Sequence, residues 1–496
     1  MASDTKKRID GSRNRGPDGE SADTRLIVVA IDFGTTFSGY AFSIRSEFVR
    51  DPMSIKTIHW KGNKSGSYKI PTALLLEGTE VHSFGYAAEL KYNELLEDEE
   101  DAGWHFFRHF KMELYEKDVD LKMTLEVDGG STLAIDIFSD SLAHLKNHFL
   151  EEKRTTYPDI LETDIHWVIT VPAIWNDAAK QFMREAAIRA GIEDNHITLA
   201  LEPEVASIYC KMLPLQRKTD ESGFDIIAKF DVGHKYLIAD LGGGTADMTV
   251  HQVGGDNKLH EIHRASGGDW GGMKVDQKFL EILSTLFGKD TLNNFKENAR
   301  LEFFELKKAF HIWKTTIGTE VQSSRISIPG KFIEMIERSH TDSINEIVEK
   351  SVYKGKIKWK KTKLELGEKG IDLLFRETVD EIGNHIDEIL SNSKCADVGM
   401  ILLVGGFSQS PYVHRILSNR FIHLNVIVPP DPELSVLKGA VLYGHDPNIV
   451  TQRVCRRTYG IALHEEFIKG EHRDDKRVVI DGATLCKDIF HCICHP

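Results

Sequence analysis

Residues 31–42 read IDFGTTFSGYAF, and this stretch decides the predicted fold. An apolar strand leads to Asp32, a tight turn of one glycine and two threonines follows, and the chain returns at once into another apolar strand. The common glycine-rich phosphate loop ends in a lysine and leads into a helix, whereas this turn does neither. The sequence therefore predicts a β-hairpin with an aspartate at its entrance.

A second stretch repeats this pattern. Residues 238–250 read IADLGGGTADMTV, which is again a strand, an aspartate, a glycine turn with threonine and a second strand. Asp32 and Asp240 hold the same place in the two copies. Such self-similarity indicates a diverged duplication, so we expect two lobes whose turns face each other across a cleft.

The two turns suit a bound phosphate group. Successive backbone N–H groups in a glycine turn form a concave nest for phosphate oxygens, and glycine lets the backbone come close. Asp32 and Asp240 would repel phosphate unless a cation lay between them. Mg²⁺ fits this role because it keeps several waters and needs only one or two carboxylates plus phosphates. The sequence therefore predicts a Mg²⁺–nucleotide cleft in which both aspartates hold the metal through water.

Composition limits the remaining classes of function. A chain of 496 residues predicts two or more domains, and a net charge of −14 argues against non-specific nucleic-acid binding, which needs a basic surface. Six cysteines are too few for a disulfide framework, and no stretch approaches the roughly 18 apolar residues of a membrane span. We therefore predict a cytoplasmic protein, with residues 1–25 as a disordered polar tail.

Other segments give local predictions. The spacing of apolar residues predicts a helix over residues 135–154, and residues 279–313 also read as helical. A buried strand near residue 170 ends before a helix that Asn176 or Asp177 caps. The chain from residue 199 begins extended and turns helical after Pro203.

Five segments together resemble the actin-like ATPase superfamily, and more closely the seventy-kilodalton heat-shock chaperones, in particular their atypical 12A and 12B branch. The resemblance covers residues 26–444 and rests on AIDFGTTFSGYAF, VITVPAIWNDAAKQFMREAAIRAG, LALEPEVASIYC, IADLGGGTADMTV and ILLVGGFSQSPYV. It implies an α/β, two-lobed actin-like ATPase fold built from duplicated ribonuclease H-like lobes. The lobes would span residues 26–225 and 226–446, and residues 447–496 would form a truncated, substrate-binding-like β segment.

The resemblance also implies roles for particular residues. Glu202, in the sequence LEPE, would face the metal-bound water, and Lys111 is the candidate for the lysine that the family places near the γ-phosphate. Glu305 and Lys308 would flank the adenine. The remaining ligands of ATP or ADP would be the two phosphate turns and a third glycine turn beside the ribose and adenine: Asp32, Gly34, Thr35 and Thr36; Asp240, Gly242, Gly243, Gly244 and Thr245; Gly405 and Gly406.

A chaperone-type ATPase that binds and slowly hydrolyses Mg-ATP is the function that the resemblance implies, with client proteins, co-chaperones or exchange factors as partners and a place in the stress response. The turn after Gly406 departs from the family, because Phe407 and Gln409 stand where a serine and an arginine are usual. The family's leucine-rich acidic linker is also missing after Gly444. A nucleotide-binding scaffold with little hydrolysis, a small-molecule kinase and a filament-forming protein therefore remain as alternatives.

Overall fold

The computed structural model contains two large mixed sheets. It describes residues 25–60, 67–115, 117, 119–127, 130–213, 218–219, 225–226, 230–318, 323–455 and 458–494. The predicted tail lies outside this range except for Arg25, and most residues around the predicted boundary between the lobes, at residues 225 and 226, also lie outside it. Each large sheet has six strands, so the duplication in the sequence corresponds to a repeated architecture.

The first sheet is centred on the strand that ends at the first glycine turn. Every residue of Ile27–Phe33 is buried, as expected for a strand covered on both faces. In spatial order the sheet contains Ile197–Leu201, Ile165–Val171, Ile27–Phe33, Phe37–Ile44 and Lys56–Thr57, with Ile70–Pro71 also paired to Phe37–Ile44.

The second sheet has the same plan. Its strands in spatial order are Asn425–Ile427, Val398–Val404, Lys235–Leu241, Ala246–Val253, Leu259–Gly268 and Val450–Gln452. In both sheets the hairpin is antiparallel, and its first strand pairs in parallel with a strand much later in the chain. The α/β, two-lobed fold is therefore confirmed.

Helices cover these sheets and begin close to the predicted positions. The predicted helix over residues 135–154 is Ala134–Thr156, and Asn176 caps the next helix by accepting a hydrogen bond from the Ala179 amide at 2.8 Å. The described helices are Arg45–Phe48, Tyr86–Glu97, Ala134–Thr156, Asp177–Arg189, Glu202–Met212, Met273–Phe287, Lys289–Asn298, Arg300–Thr316, Gly330–Ser339, Ile344–Lys350, Glu368–Ser391, Pro411–Arg420 and Ser435–His445.

The prediction of one helical stretch over residues 279–313 was wrong in its continuity. Three helices occupy this part of the chain, separated at Gly288 and Ala299. Gly288 has a φ of 85°, which ends the first helix because this left-handed conformation cannot continue an α-helix. The apolar spacing persists across both breaks, so periodicity alone did not reveal them.

Two helices join the lobes. Glu202–Met212 and Ser435–His445 pack so closely that a Cβ on Gly439 would lie 1.8 Å from the Val205 carbonyl oxygen. A single core there combines Val28 and Val168 of the first sheet with Ile238 and Leu402 of the second. The relative position of the two sheets is thus set by apolar packing beneath the cleft.

Smaller sheets complete the described chain. They contain Glu80–Phe84, Ala73–Glu77 and Trp104–Arg108; Thr124–Val127 and Gly130–Leu133; Lys218–Thr219 and Asp225–Ile226; Ser323–Ser327, Lys363–Gly367 and Ile357–Lys360; and Tyr459–Glu466, Ala483–Cys494 and Arg477–Ile480. None of the described helices is long and apolar enough to cross a bilayer. Cys455 is disulfide-bonded, and disulfides are rare in reducing compartments, so the cytoplasmic location stays a prediction.

Candidate functional site

The two glycine turns meet at the cleft between the lobes. A Cβ on Gly243 would lie 2.5 Å from the Thr36 hydroxyl oxygen, and one on Gly244 would lie 2.8 Å from that of Thr35. Cβ atoms essentially never make contacts this short, so a larger residue in the second turn would have to displace the threonine side chains of the first. The predicted opposition of the two turns is present in the structure.

A cavity of about 530 Å³ opens between the turns. This volume lies within the range of small-molecule and cofactor sites. Most of the predicted site residues line it: Asp32, Gly34, Thr35, Thr36, Lys111, Glu202, Asp240, Gly242, Gly243, Gly244, Thr245, Gly405 and Gly406. The fold therefore brings together residues that are hundreds of positions apart in the chain.

The two matched aspartates differ in their surroundings. Asp32 accepts a hydrogen bond from the Thr170 hydroxyl at 3.0 Å, and its other oxygen pairs with the Lys69 ammonium. Among the described residues the Asp240 carboxylate has no hydrogen-bond or ion-pair partner. Burial, followed by the negative charges of Glu202, Asp247 and Asp32, raises the pKa of Asp240 well above its usual value.

Glu202 and Lys111 form a buried ion pair on the cavity wall. Lys111 Nζ lies 2.7 Å from Glu202 Oε1, and the ammonium also lies 5.3 Å from the centre of the Trp175 ring. Lys111 comes from the short helical turn Phe110–Leu114, whereas Glu202 begins the interlobe helix. Burial raises the pKa of Glu202 to about 7 even though Lys111 acts in the opposite direction.

The cavity fits a Mg²⁺–nucleotide. The glycine turns offer backbone N–H groups to phosphate, and Asp240 offers oxygens that no described side chain occupies. Burying an unpaired carboxylate is unfavourable, and water molecules held by a bound divalent cation would supply the missing partners. The Gly242 amide already donates to the Thr245 carbonyl oxygen at 2.9 Å, so Asp240, Gly243, Gly244 and Thr245 are the residues that would hold the metal and the phosphates.

The third glycine turn is held against the metal end of the cavity. Gly405 has a φ of 84°, and a Cβ there would lie 2.3 Å from Asp240 Oδ1, so only glycine fits. Phe407, which follows the turn, lines the cavity but is 3% exposed and belongs to the core of the second lobe. Beside this turn the cavity wall therefore has an apolar part from Phe407 and a polar part from Gln409.

Glu305 and Lys308 do not line this cavity. Lys308 instead lies 3.2 Å from Glu89, in a neighbouring cavity on the other side of Phe37. The next turns of the same helix contribute His311, Ile312 and Thr315 to the cavity wall. The adenine role of Glu305 and Lys308 stays a prediction that this geometry does not favour.

Sequence reasoning missed several charged residues in or beside the cavity: Lys69, Lys314 and Glu433, which line it, and Asp247, which lies beside Asp240. Asp247 lies directly opposite Asp240 in the second hairpin and accepts a hydrogen bond from the Ile174 amide at 2.9 Å. The repeat gave no signal for Asp247, because Gly39 stands at the same place in the first copy, seven residues after Asp32. Lys69 gave no signal either, because nothing near it in the sequence marks a site. Burial lowers its pKa, but the charges of Asp32, Glu433 and Asp240 outweigh this effect and raise it.

A duplicated α/β fold with facing glycine turns and a carboxylate-lined cleft defines a nucleotide-binding protein of the actin-like class. A family model described as Hsp70 protein matches residues 109–479, which is most of the chain. The chain therefore belongs to the Hsp70 family.

Known relatives place the chain in the atypical 12A/12B branch. It is 35% identical to human Heat shock 70 kDa protein 12B, with 94% of this chain and 75% of that protein aligned. It is 33% identical to mouse Heat shock 70 kDa protein 12A over 94% of this chain and 76% of that protein. Chaperone protein DnaK of Thermotoga neapolitana is more distant, at 26% identity over 60% of this chain and 45% of that protein.

Proposed function

We propose that this chain binds Mg-ATP in the interlobe cleft, hydrolyses it slowly and uses the nucleotide state to change partner binding. The observation that carries the proposal is the pair of facing glycine turns with the open Asp240 carboxylate between them. Phosphoryl transfer needs mainly positioning and charge neutralisation, and the cleft combines donors for phosphate with carboxylates for a metal.

Each polar group of the cleft has a distinct task in this proposal. The backbone amides of Gly243 and Gly244 and the Thr245 hydroxyl would donate to phosphate oxygens, whereas the Gly242 amide donates to the Thr245 carbonyl oxygen at 2.9 Å and holds the turn. Asp240 would order the waters of the metal. Bound Mg²⁺ supplies neutralisation of the phosphate charge. Glu202 accepts the proton of the attacking water at a carboxylate oxygen, and Lys111 holds that carboxylate in place at 2.7 Å. A pKa of about 7 suits a general base near neutral pH.

The helix that carries Glu202 also contacts the chain beyond the cleft. Two hydrogen bonds make this contact: Arg453 Nε donates to Glu204 Oε2 at 2.8 Å, and Arg453 Nη2 donates to Glu204 Oε1 at 2.6 Å. Glu204 is buried and lies two residues after Glu202. A change in lobe closure would therefore reach residue 453, which supports a nucleotide-dependent effect on partners.

Calorimetry with Mg-ATP and Mg-ADP, followed by single-turnover hydrolysis with and without an unfolded client protein, tests the proposal. Gly243→Ala should weaken binding about tenfold or more because its Cβ would collide with Thr36. Gly255→Ala is the matched control, since a Cβ at Gly255 meets nothing within 4 Å. Absence of nucleotide binding by the parent chain would refute the proposal, and binding without turnover would leave a nucleotide-binding scaffold.

A further inference from the structure

Lys69 places a fixed positive charge inside the phosphate end of the cleft. Its ammonium pairs with Asp32, its side chain is 14% exposed, and the carboxylates of Glu433 and Asp240 are close enough to act on it electrostatically. Lys69 also lines the cavity. The position opposite one matched aspartate is thus taken by a cation that belongs to the chain itself.

The backbone explains how Lys69 reaches this position. Ile70–Pro71 pairs with the returning strand of the first hairpin, which sets Lys69 at the edge of the hairpin. Gly39 lies opposite Asp32 in the hairpin register, and a Cβ at Gly39 would come 3.1 Å from Lys69 Cγ. The stem of Lys69 therefore passes over a residue without a side chain on its way to Asp32.

The second copy of the repeat lacks this arrangement. Asp240 holds the place that Asp32 holds in the first copy, yet among the described residues no lysine or arginine is paired with it. The duplication has thus produced one carboxylate already neutralised by an ammonium and one that remains open. A metal ion has free access to the oxygens of Asp240, but at Asp32 it competes with Lys69.

We propose that Lys69 is a resident counter-ion for the nucleotide phosphates, so that nucleotide binding depends only in part on divalent metal. This inference rests on the proposed nucleotide binding. Lys69 offsets the charge of Asp32 that would repel phosphate, and its ammonium has further N–H groups that can donate to a phosphate oxygen in the same cavity. Mg²⁺ tightens binding further through Asp240.

The test compares the dissociation constant of ADP in EDTA with that in Mg²⁺, measured by calorimetry on the full chain. Lys69→Met should increase this ratio by roughly tenfold or more, because it removes the charge that offsets Asp32. Lys69→Gln should act in the same direction while keeping a hydrogen-bond donor for Asp32, which guards against a folding defect. Lys69→Arg keeps the charge and should stay within about threefold of the parent.

Lys56→Met is the matched control. Lys56 also forms an ion pair in the first lobe, with Glu47 at 2.9 Å, but it does not line the cavity. In Lys56→Met the ratio of the ADP dissociation constants in EDTA and in Mg²⁺ should equal that of the parent. Thermal melts should show that each variant is folded. An unchanged ratio in folded Lys69→Gln would overturn the role of Lys69. A parent that binds ADP in neither condition would instead overturn the proposed function, and the Lys69 role with it.

Discussion

Replacement of Glu202 by glutamine gives the sharpest test of the catalytic assignment. The amide has nearly the shape of the carboxylate but cannot take a proton from the attacking water. It also leaves Lys111 with a neutral acceptor oxygen in place of the charged one that now lies at 2.7 Å. We expect Mg-ATP affinity to stay within about threefold of the parent and hydrolysis to slow by roughly 10- to 100-fold, because the carboxylate acts mainly in the transition state.

The pH dependence of the hydrolysis rate gives a second check on the role of Glu202. Burial raises the pKa of Glu202 to about 7, so the reactive, charged form rises from about one tenth of the molecules at about pH 6 to about nine tenths at about pH 8. The single-turnover rate of the parent should therefore rise about ninefold over this interval and then level off. Glu202→Gln should show no such rise.

The assay is single-turnover hydrolysis of radiolabelled ATP with enzyme in excess, at a series of pH values. The Mg-ATP affinity of each variant is measured by calorimetry. Glu204→Gln is the matched control, because Glu204 is on the same helix and equally paired but bonds Arg453 outside the cavity. It should keep the parent's pH profile. If Glu202→Gln hydrolyses ATP at the parent's rate, or if Glu204→Gln loses the pH dependence equally, the reasoning fails.

Three further outcomes are expected. Asp240→Asn should weaken Mg-ADP binding about tenfold or more, because it removes the open carboxylate that holds the metal's waters; equal calorimetric affinity would contradict this role. Arg300→Gln should speed nucleotide release about two- to fivefold in a fluorescent-nucleotide chase. Arg300 of the second lobe pairs with Asp101 of the first lobe and donates to the hydroxyl of Tyr92, also in the first lobe, at 2.8 Å. An unchanged release rate would show that these contacts do not restrain opening of the cleft. Burial lowers the pKa of His251 to about 3, so between about pH 3 and 6.5 only the unfolded chain takes up this proton and stability falls as pH falls. In urea titrations the parent should therefore lose about 1.4 kcal/mol more per pH unit than His251→Asn below about pH 6, and parallel slopes would refute the assignment.

The local features of the site could be predicted from the sequence because they depend on neighbouring residues. A buried strand, an aspartate and a glycine turn read the same in both copies, and the repeat itself implied two lobes with facing turns. The cap was narrowed to Asn176 or Asp177 for the same reason, and it is Asn176, which accepts a hydrogen bond from Ala179, three residues away. The continuous helix over residues 279–313 failed because apolar spacing does not register a single left-handed residue such as Gly288.

The charge pattern of the cleft was decided only by tertiary packing. Lys111 and Glu202 are 91 residues apart and lie on different elements, so their 2.7 Å contact depends on how a short helical turn docks against the interlobe helix. Lys69 and Asp32 are 37 residues apart, and their pairing depends on a bare glycine between them. The sequence alone determined where phosphate could approach the backbone, because a turn is a local structure. Tertiary packing decided which carboxylate stays unpaired, because an ion pair between distant residues produces no periodic pattern in the sequence.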